Sequence, residues 1–518
     1  MTAWRLAALA IALLMLLPLG VAVGALATPT GDIWAHLTEH VLPAVVRNTA
    51  GLSVCVAIAS AVLGGTAAWL TAMVDFPGRR FFAWALLLPL ALPGYVIAFA
   101  LAGVFDYSGA VANLWQSLFG VRMPRLGAGT ASAVCLSLTL YPYVYLLVRQ
   151  AFVTQGQRCL EVAQSLGMDR LTGFRRVALP MARPWFATGV ALVVMETLAD
   201  FGTVKVFNFD TFTTAIYGAW FGLFSLPAAL QLSALLLLFV ALAVAGEQFW
   251  RSKARYVSRD AAARPRYLVV SRTQALLACT FCVLLFAVAF VVPVLQLVLW
   301  AIEMASSEIT LRYWSFVRAS VSLGVMAAVF VTLLGLLLGY SERRAPGIAT
   351  TWSVRIATLG YAMPGTVLAV GFFVAVSATG DWLGVTLTGT ILVMLLAYAA
   401  RFLAVGYGPL GTGLQRITPN IDDAARGLGV SGLSLLRRVH WPMLRTGVAT
   451  AALLVFVDVM KELPITLLTR PFGWDTLAVR IFQLTTEGEW QRAAIPALAI
   501  VAAGLLPVLW LHRHSDRH

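Results

Sequence analysis

Four carboxylates stand in apolar sequence at matched places, Glu196 and Asp200 in one stretch and Asp458 and Glu462 in another. Their spacing of four predicts one helical face for each pair. A charge within a membrane costs about 2.5–3.5 kcal/mol on insertion scales, so four of them need a reason. Carboxylate oxygens suit hard cations such as Fe³⁺, which makes a translocation path or gate one reading. The other is structural: Lys461 or a backbone group satisfies them, or they lie in the outer interface. Tyr141, Tyr143 and Tyr145 could add phenolic oxygens, but aromatic packing is the simpler expectation. His36 and His40 lack the further ligands a metal site requires. Cys279 and Cys282 form a C-x-x-C inside an apolar run, where small packing residues are expected. No nucleophile–His–acid set and no H-E-x-x-H occurs, so no catalytic residue and no metal ligand is assigned.

The elements that position these groups must be membrane helices. The 518 residues are 60% hydrophobic and 12% charged, with a mean hydropathy of +0.85; soluble chains carry about 25% charged residues. Spanning a bilayer takes roughly 20 apolar residues per helix, and a helix satisfies its backbone within one segment. The ten-residue alternation of a β-barrel is absent. Spans are expected near 4–26, 45–73, 82–104, 130–149, 185–204, 227–249, 273–300, 318–340, 353–378, 386–407, 446–468 and 493–511, about twelve in all.

The net charge of +14 is carried mostly by Arg in alternate loops. Arg79 and Arg80 lie in one, Arg158 to Arg183 in the next but one, then Arg251–Arg266, Arg343 and Arg344, Arg416–Arg445, and Arg513 with Arg517. The intervening loops hold Asp32, Glu39, Glu303, Glu308 and Asp381. The positive-inside rule then places both termini in the cytoplasm and makes the basic balance a matter of topology, with no nucleic-acid partner. Ala25-Leu26-Ala27 has the form of a signal cleavage site. The first helix is nevertheless expected to be retained, because it matches the span at 273–300.

That match belongs to an internal duplication. Gly167 and Gly429 lie 262 positions apart, as do Ala163 and Ala425, Arg175-Arg176-Val177 and Arg437-Arg438-Val439, and Pro180 and Pro442. Earlier in each half the offset is 271, pairing Arg47 with Arg318, Gly64 with Gly335 and Pro93-Gly94 with Pro364-Gly365. The difference places a longer outer loop around Asp106–Gly127. The expected organisation is a first repeat over 1–250, a linker over 251–272 and a second repeat over 273–518. Each repeat has an even number of spans, which keeps the copies parallel about an axis along the membrane normal.

The segments at 155–183 and 415–445 carry the most specific signal. The first reads Glu161-Val-Ala-Gln-Ser-Leu-Gly167 and runs on to Pro180; the second reads Asp423-Ala-Ala-Arg-Gly-Leu-Gly429 and runs on to Pro442. Leu160, Ala163 and Leu166 share an apolar face at i, i+3. Gly167 and Gly429 mark turns where φ is expected to be positive. Asp169 and Ser431 are N-cap types, and each Pro is expected to end its segment before the next span. A surface amphipathic helix would account for one copy, but not for two with the same Ala, Gly, double Arg and Pro.

This pattern resembles the EAA loop of ABC importer permeases. The resemblance implies a type I ABC importer permease fold: an all-α polytopic membrane protein with two homologous six-helix halves. It implies that each loop is a coupling helix seated in a groove of a cytoplasmic ATPase, with a small Ala for close approach and an acidic contact. By that resemblance Glu161, Ala163, Gly167 and Pro180, and Asp423, Ala425, Gly429 and Pro442, carry the coupling. Val162 stands where the pattern has its first Ala, and Asp423 where it has Glu. The wording Glu196-Thr-Leu-Ala-Asp-Phe-Gly-Thr-Val204, Asp458-Val-Met-Lys-Glu-Leu-Pro464 and Arg470-Pro-Phe-Gly-Trp-Asp-Thr476 resembles the ferric-iron branch of that family. Fused thiamine permeases share the layout and the loops.

The lysines are Lys205, Lys253 and Lys461, and none follows Gly, so no phosphate-binding Gly-Lys-[Ser/Thr] is present. ATP and Mg are therefore expected on a separate ATPase, in two copies, with no cofactor in this chain. A periplasmic substrate-binding protein is the other implied partner, docking on Asp106–Gly127 and Arg470–Arg492, and the lipid bilayer of a bacterial inner membrane is the setting. The competing class is an ion-coupled secondary transporter that uses the membrane carboxylates; it has no need of the duplicated loop.

Overall fold

The computed structural model describes residues 3–28, 30–106, 110–124, 126–252, 267–268 and 270–515. Most of the expected linker, 253–266 and 269, and positions 107–109 and 125 of the outer loop lie outside the described residues. Among the described residues the only β pairing is an isolated parallel bridge between Val74 and Leu268. The helices used below are, in chain order, α1 (Ala3–Gly24), α2 (Leu42–Met73), α3 (Gly94–Val104), α4 (Ala128–Ala151), α5 (Gln157–Ser165), α6 (Leu179–Ala199), α7 (Gly202–Val206), α8 (Leu226–Ser252), α9 (Arg272–Phe286), α10 (Leu311–Arg344), α11 (Gly365–Leu383), α12 (Ile391–Arg416), α13 (Pro419–Gly427), α14 (Trp441–Met460), α15 (Pro464–Thr469) and α16 (Ala494–Ser515).

Among the described residues, ten helices are long and apolar enough to cross a membrane. Two expected spans are broken, and the last, expected at 493–511, is found among the shorter apolar helices as Ala494–Leu506. The region expected as 82–104 is two helices, Arg79–Ala91 and Gly94–Val104, bent by 97°. The region expected as 353–378 is likewise interrupted, with Ile348–Thr358 and a 3₁₀ turn before α11. Both breaks fall at the duplicated Pro-Gly. Proline has no N–H and pushes the preceding residue out of helical geometry, and Leu92 and Met363 are both extended.

Two compact bodies are present, neither of them one half of the sequence. The first comprises Met1–Gly31, Ile216–Ala234 and Ile309–Arg480; the second comprises Asp32–Ala215, Leu235–Glu308 and Ile481–His518. Within the first, α1 packs on α10, on Ile348–Thr358 and on α11, all from the other repeat. A Cβ on Gly371 would lie 2.5 Å from the Pro18 side chain, so the glycine permits this approach. Within the second, the helix that follows α9 packs on α3, with Trp300 against Gly103 and stacked on Phe99. Each repeat thus contributes its first helix to the other repeat's bundle.

Inside each body the central contact is the same. Gly64 of α2 lets the α4 backbone approach, since a Cβ there would lie 2.6 Å from the Tyr141 carbonyl oxygen. Its duplicate Gly335 on α10 meets Leu410 and Tyr407 of α12. Tyr141 and Tyr145 are buried, and their hydroxyls donate to the carbonyls of Leu86 (3.0 Å) and Ala83 (2.9 Å). They tie α4 to the first arm of the broken span.

Candidate functional site

Each repeated loop folds as a short helix, a glycine turn and a second helix that runs into a span. In the first copy Gly167 has φ +77°, with hydrogen bonds from the N–H of Met168 to the carbonyl of Ala163 (3.0 Å) and from Gly167 to Gln164 (2.9 Å). In the second, Gly429 also has φ +77°, with bonds from Val430 to Ala425 (2.9 Å) and from Gly429 to Arg426 (2.9 Å). Both are Schellman closures, which require the left-handed residue that glycine supplies. Asp169 accepts from the Thr172 N–H at 3.3 Å and caps the helix that follows.

Pro180 and Pro442 do not end the loops, as the sequence reading had them do. Each lies in the first turn of a span, α6 or α14. The turns before them, Phe174–Ala178 and Leu436–His440, are π-helical. A proline cannot donate to the carbonyl four residues back and its ring crowds that carbonyl; one wider turn relieves both without breaking the helix. The spans therefore begin at Phe174 and Leu436, ahead of the expected starts.

The two faces of the coupling segment also sort differently from the periodicity. Leu160 and Ala163 are buried, with Ala163 set against Gly173, where an added Cβ would come within 3.1 Å. The small size of Ala163 therefore serves packing inside this chain, not an outward approach. Ala425 is likewise buried. Leu166 turns out at the Schellman closure and is 70% exposed, and its duplicate Leu428 is 83% exposed. Glu161 and Asp423 are also exposed, with Asp423 paired to Arg426 at 2.7 Å. The exposed surface of each copy thus includes one acidic group and one large leucine, with Val162 exposed as well in the first copy and Arg426 in the second.

The membrane carboxylates do not share a helical face. Helix α6 ends at Ala199, and Asp200 leaves it in an extended conformation. Its carboxylate accepts from the Thr203 hydroxyl (2.9 Å) and the Val204 N–H (3.1 Å), at the start of α7. Glu462, past the end of α14, does the same for α15, accepting from the N–H groups of Ile465 (3.0 Å) and Thr466 (3.1 Å). Each lies against the glycine of the Pro-Gly break: a Cβ on Gly94 would be 2.6 Å from the Thr203 hydroxyl and 3.5 Å from Asp200, and one on Gly365 would be 2.8 Å from Glu462. Asp458 is paired with Lys461 at 3.0 Å, and Glu196 is half-buried on α6.

Two groups escaped the sequence reading. Arg401, buried within α12, donates to the carbonyl of Met363 at 3.0 Å, just before the second break. It satisfies a backbone acceptor that the broken helix does not use. The other is a polar cluster under the second coupling helix. Arg343 at the end of α10 bonds the Asp422 carboxylate at 2.7 Å and the Leu414 and Ile417 carbonyls at the end of α12. The opposite carboxylate oxygen meets His440 Nε2 at 2.9 Å, and His440 Nδ1 meets the Tyr340 hydroxyl at 2.9 Å. Burial pushes the Asp422 carboxyl up, but the bonds and charges of His440 and Arg343 outweigh it and hold it below the ordinary range. Aligning the copies carries the signal: at the same offsets the first holds Trp69, Ala72, Leu160 and Ala178.

The chain matches the family described as binding-protein-dependent transport system inner membrane component over residues 60–252 and again over 331–518. The Fe(3+)-transport system permease protein FbpB 2 of Haemophilus influenzae is 29% identical over 475 residues, which is 90% of this chain and 89% of that protein. The ferric transport system permease protein FbpB of Actinobacillus pleuropneumoniae is 23% identical over 441 residues, 80% of this chain and 63% of its own length. The sulfate transport system permease protein CysT of Escherichia coli is 30% identical over 195 residues, 38% of this chain and 69% of its own.

Proposed function

The chain belongs to the binding-protein-dependent transport inner-membrane components, as a multi-pass transport subunit with two copies of the family domain, and from that premise we propose that it carries ferric iron inward. A periplasmic binding protein delivers the iron to the outer loops. Separate ATPase subunits, two copies for two coupling helices, bind ATP and Mg and drive alternating access. The absence of a Gly-Lys-[Ser/Thr] loop in the sequence supports assigning hydrolysis to those subunits. The Arg-rich loops support placing α5, α13 and both termini on the cytoplasmic side. Leu166 with Glu161, and Leu428 with Asp423, form the surface assigned to the ATPase grooves.

The observation that carries the iron reading is the extent of similarity. Two ferric permeases align along both repeats, over 90% and 80% of the fused chain. For the membrane carboxylates, the hydrogen bonds of Asp200 and Glu462 favour a part in holding the broken spans over a part in ligating the cargo.

Uptake of radiolabelled ferric iron and of thiamine, in matched strains with and without the gene, tests the reading. Iron uptake that needs both the gene and ATP is the expected result. Uptake surviving ATP depletion would point to an ion-coupled carrier, and thiamine uptake would keep the architecture and replace the substrate. In the same assay Glu196→Gln with Asp458→Asn should leave iron uptake within about twofold of the parent, whereas loss of uptake with intact assembly would restore the path reading.

A further inference from the structure

The two coupling helices are seated by opposite chemistry. Under α5 the seat is apolar: Leu160, Ala72 and Ala178 are buried, and Trp69 packs against Phe152 and Phe174 with ring centroids 5.3 and 4.2 Å apart. Under α13 the same four positions hold Asp422, Arg343, His440 and Tyr340, joined in one hydrogen-bonded chain. Asp422 and His440 are 6% and 1% exposed, so both side chains are largely shielded from water. All four positions differ together, as expected if a lone member would be a buried polar group without its partners.

The cluster joins four elements. Arg343 and Tyr340 come from the end of α10, the carbonyls of Leu414 and Ile417 from the end of α12, Asp422 from the first turn of α13, and His440 from the turn that opens α14. The negative Asp422 suits the α13 N-terminus, and the Arg343 guanidinium suits the α12 C-terminus. Leu414 and Ile417 pack with Leu444 into a small core beside it, with Tyr340, Ile421 and Val448 against it.

We propose that Arg343, Asp422 and His440 are positioning residues that lock the second coupling helix to α10, α12 and α14, so that movement of its ATPase is delivered to these helices as one rigid step. The proposal rests on the importer reading. None of these residues lies on the outward surface carrying Asp423 and Leu428, so removing the lock alters transmission without removing the docking face.

The test uses the full complex of this chain with its ATPase and binding protein in proteoliposomes. It reads two quantities, ATPase recovered with the chain and iron transported per ATP hydrolysed. Asp422→Asn should keep ATPase association and lower iron per ATP by about fivefold or more, the scale of coupling lost in a contacting network. The fourfold variant Tyr340→Trp, Arg343→Ala, Asp422→Leu and His440→Ala installs the first copy's residues at these four positions and should recover iron per ATP to within about twofold, because an apolar set can replace a buried ionic one. An Asp422→Asn complex coupled as tightly as the parent would overturn the proposal. If Asp422→Asn does not assemble, the fourfold variant decides: recovered assembly and coupling supports the lock, and equal failure overturns it. A parental chain that recovers no ATPase would sink the importer reading itself.

Discussion

Leu166 shares an i, i+3 register with Leu160 and Ala163, yet it is 70% exposed while they are buried. The Schellman closure at Gly167 turns the chain two residues after the helix ends, and Leu166 sits at the turn itself. The same holds for Leu428, 83% exposed. Two large leucines kept at matched, exposed positions point to a partner surface. A Leu428→Cys variant, in a background without the native cysteines, should react with a membrane-impermeant maleimide in inside-out vesicles and be protected several-fold once ATPase is bound. Labelling from outside intact cells would reverse the orientation assigned here, and labelling indifferent to ATPase would remove Leu428 from the docking face.

At the level of elements, the Pro-Gly breaks and the capping carboxylates are one construction. A broken span leaves helix ends inside the membrane region, where each unpaired backbone group is costly. Glu462 caps α15, Asp200 caps α7, and Arg401 serves the Met363 carbonyl. The glycine after each proline gives these groups room. Gly365→Ala should therefore destabilise the solubilised protein by about 1–3 kcal/mol, the usual cost of overpacking, because Glu462 is held in place by its bonds to α15. Gly408→Ala, with open space at its Cβ, should be neutral or stabilising. Thermal unfolding in detergent measures both, and equal melting temperatures for the two variants would show that the carboxylate can move aside.

For the whole molecule, the exchange of first helices makes the second repeat depend on the start of the chain. Gly371 meets Pro18 of α1, and Gln231 donates to the carbonyls of Ala25 (3.2 Å) and Thr28 (2.7 Å) just after it. Gly371→Leu should loosen α1 and make the segment 25–31 markedly more sensitive to limited proteolysis, although more than three hundred residues separate the two sites. The size of the clash corresponds to about 1–3 kcal/mol. Unchanged cleavage would mean that α1 does not lean on α11.

Sequence alone determined the membrane class, most of the spans, the duplication and the two coupling segments with their positive-φ glycines. Those features rest on hydropathy and hydrogen bonding between near neighbours, which local composition and spacing encode. Pro-Gly at 93–94 and 364–365 was visible as a matched pair, but a proline in an apolar run reads equally as a kink or a break. Only the tertiary structure decided that Asp200 and Glu462 leave their helices to cap the next ones, that Ala163 faces inward, and that α1 joins the other repeat. The lock of Arg343, Asp422 and His440 was invisible for the same reason. Its members lie 79 and 18 residues apart, and each is an ordinary polar residue of a basic loop until folding brings the others within hydrogen-bonding distance.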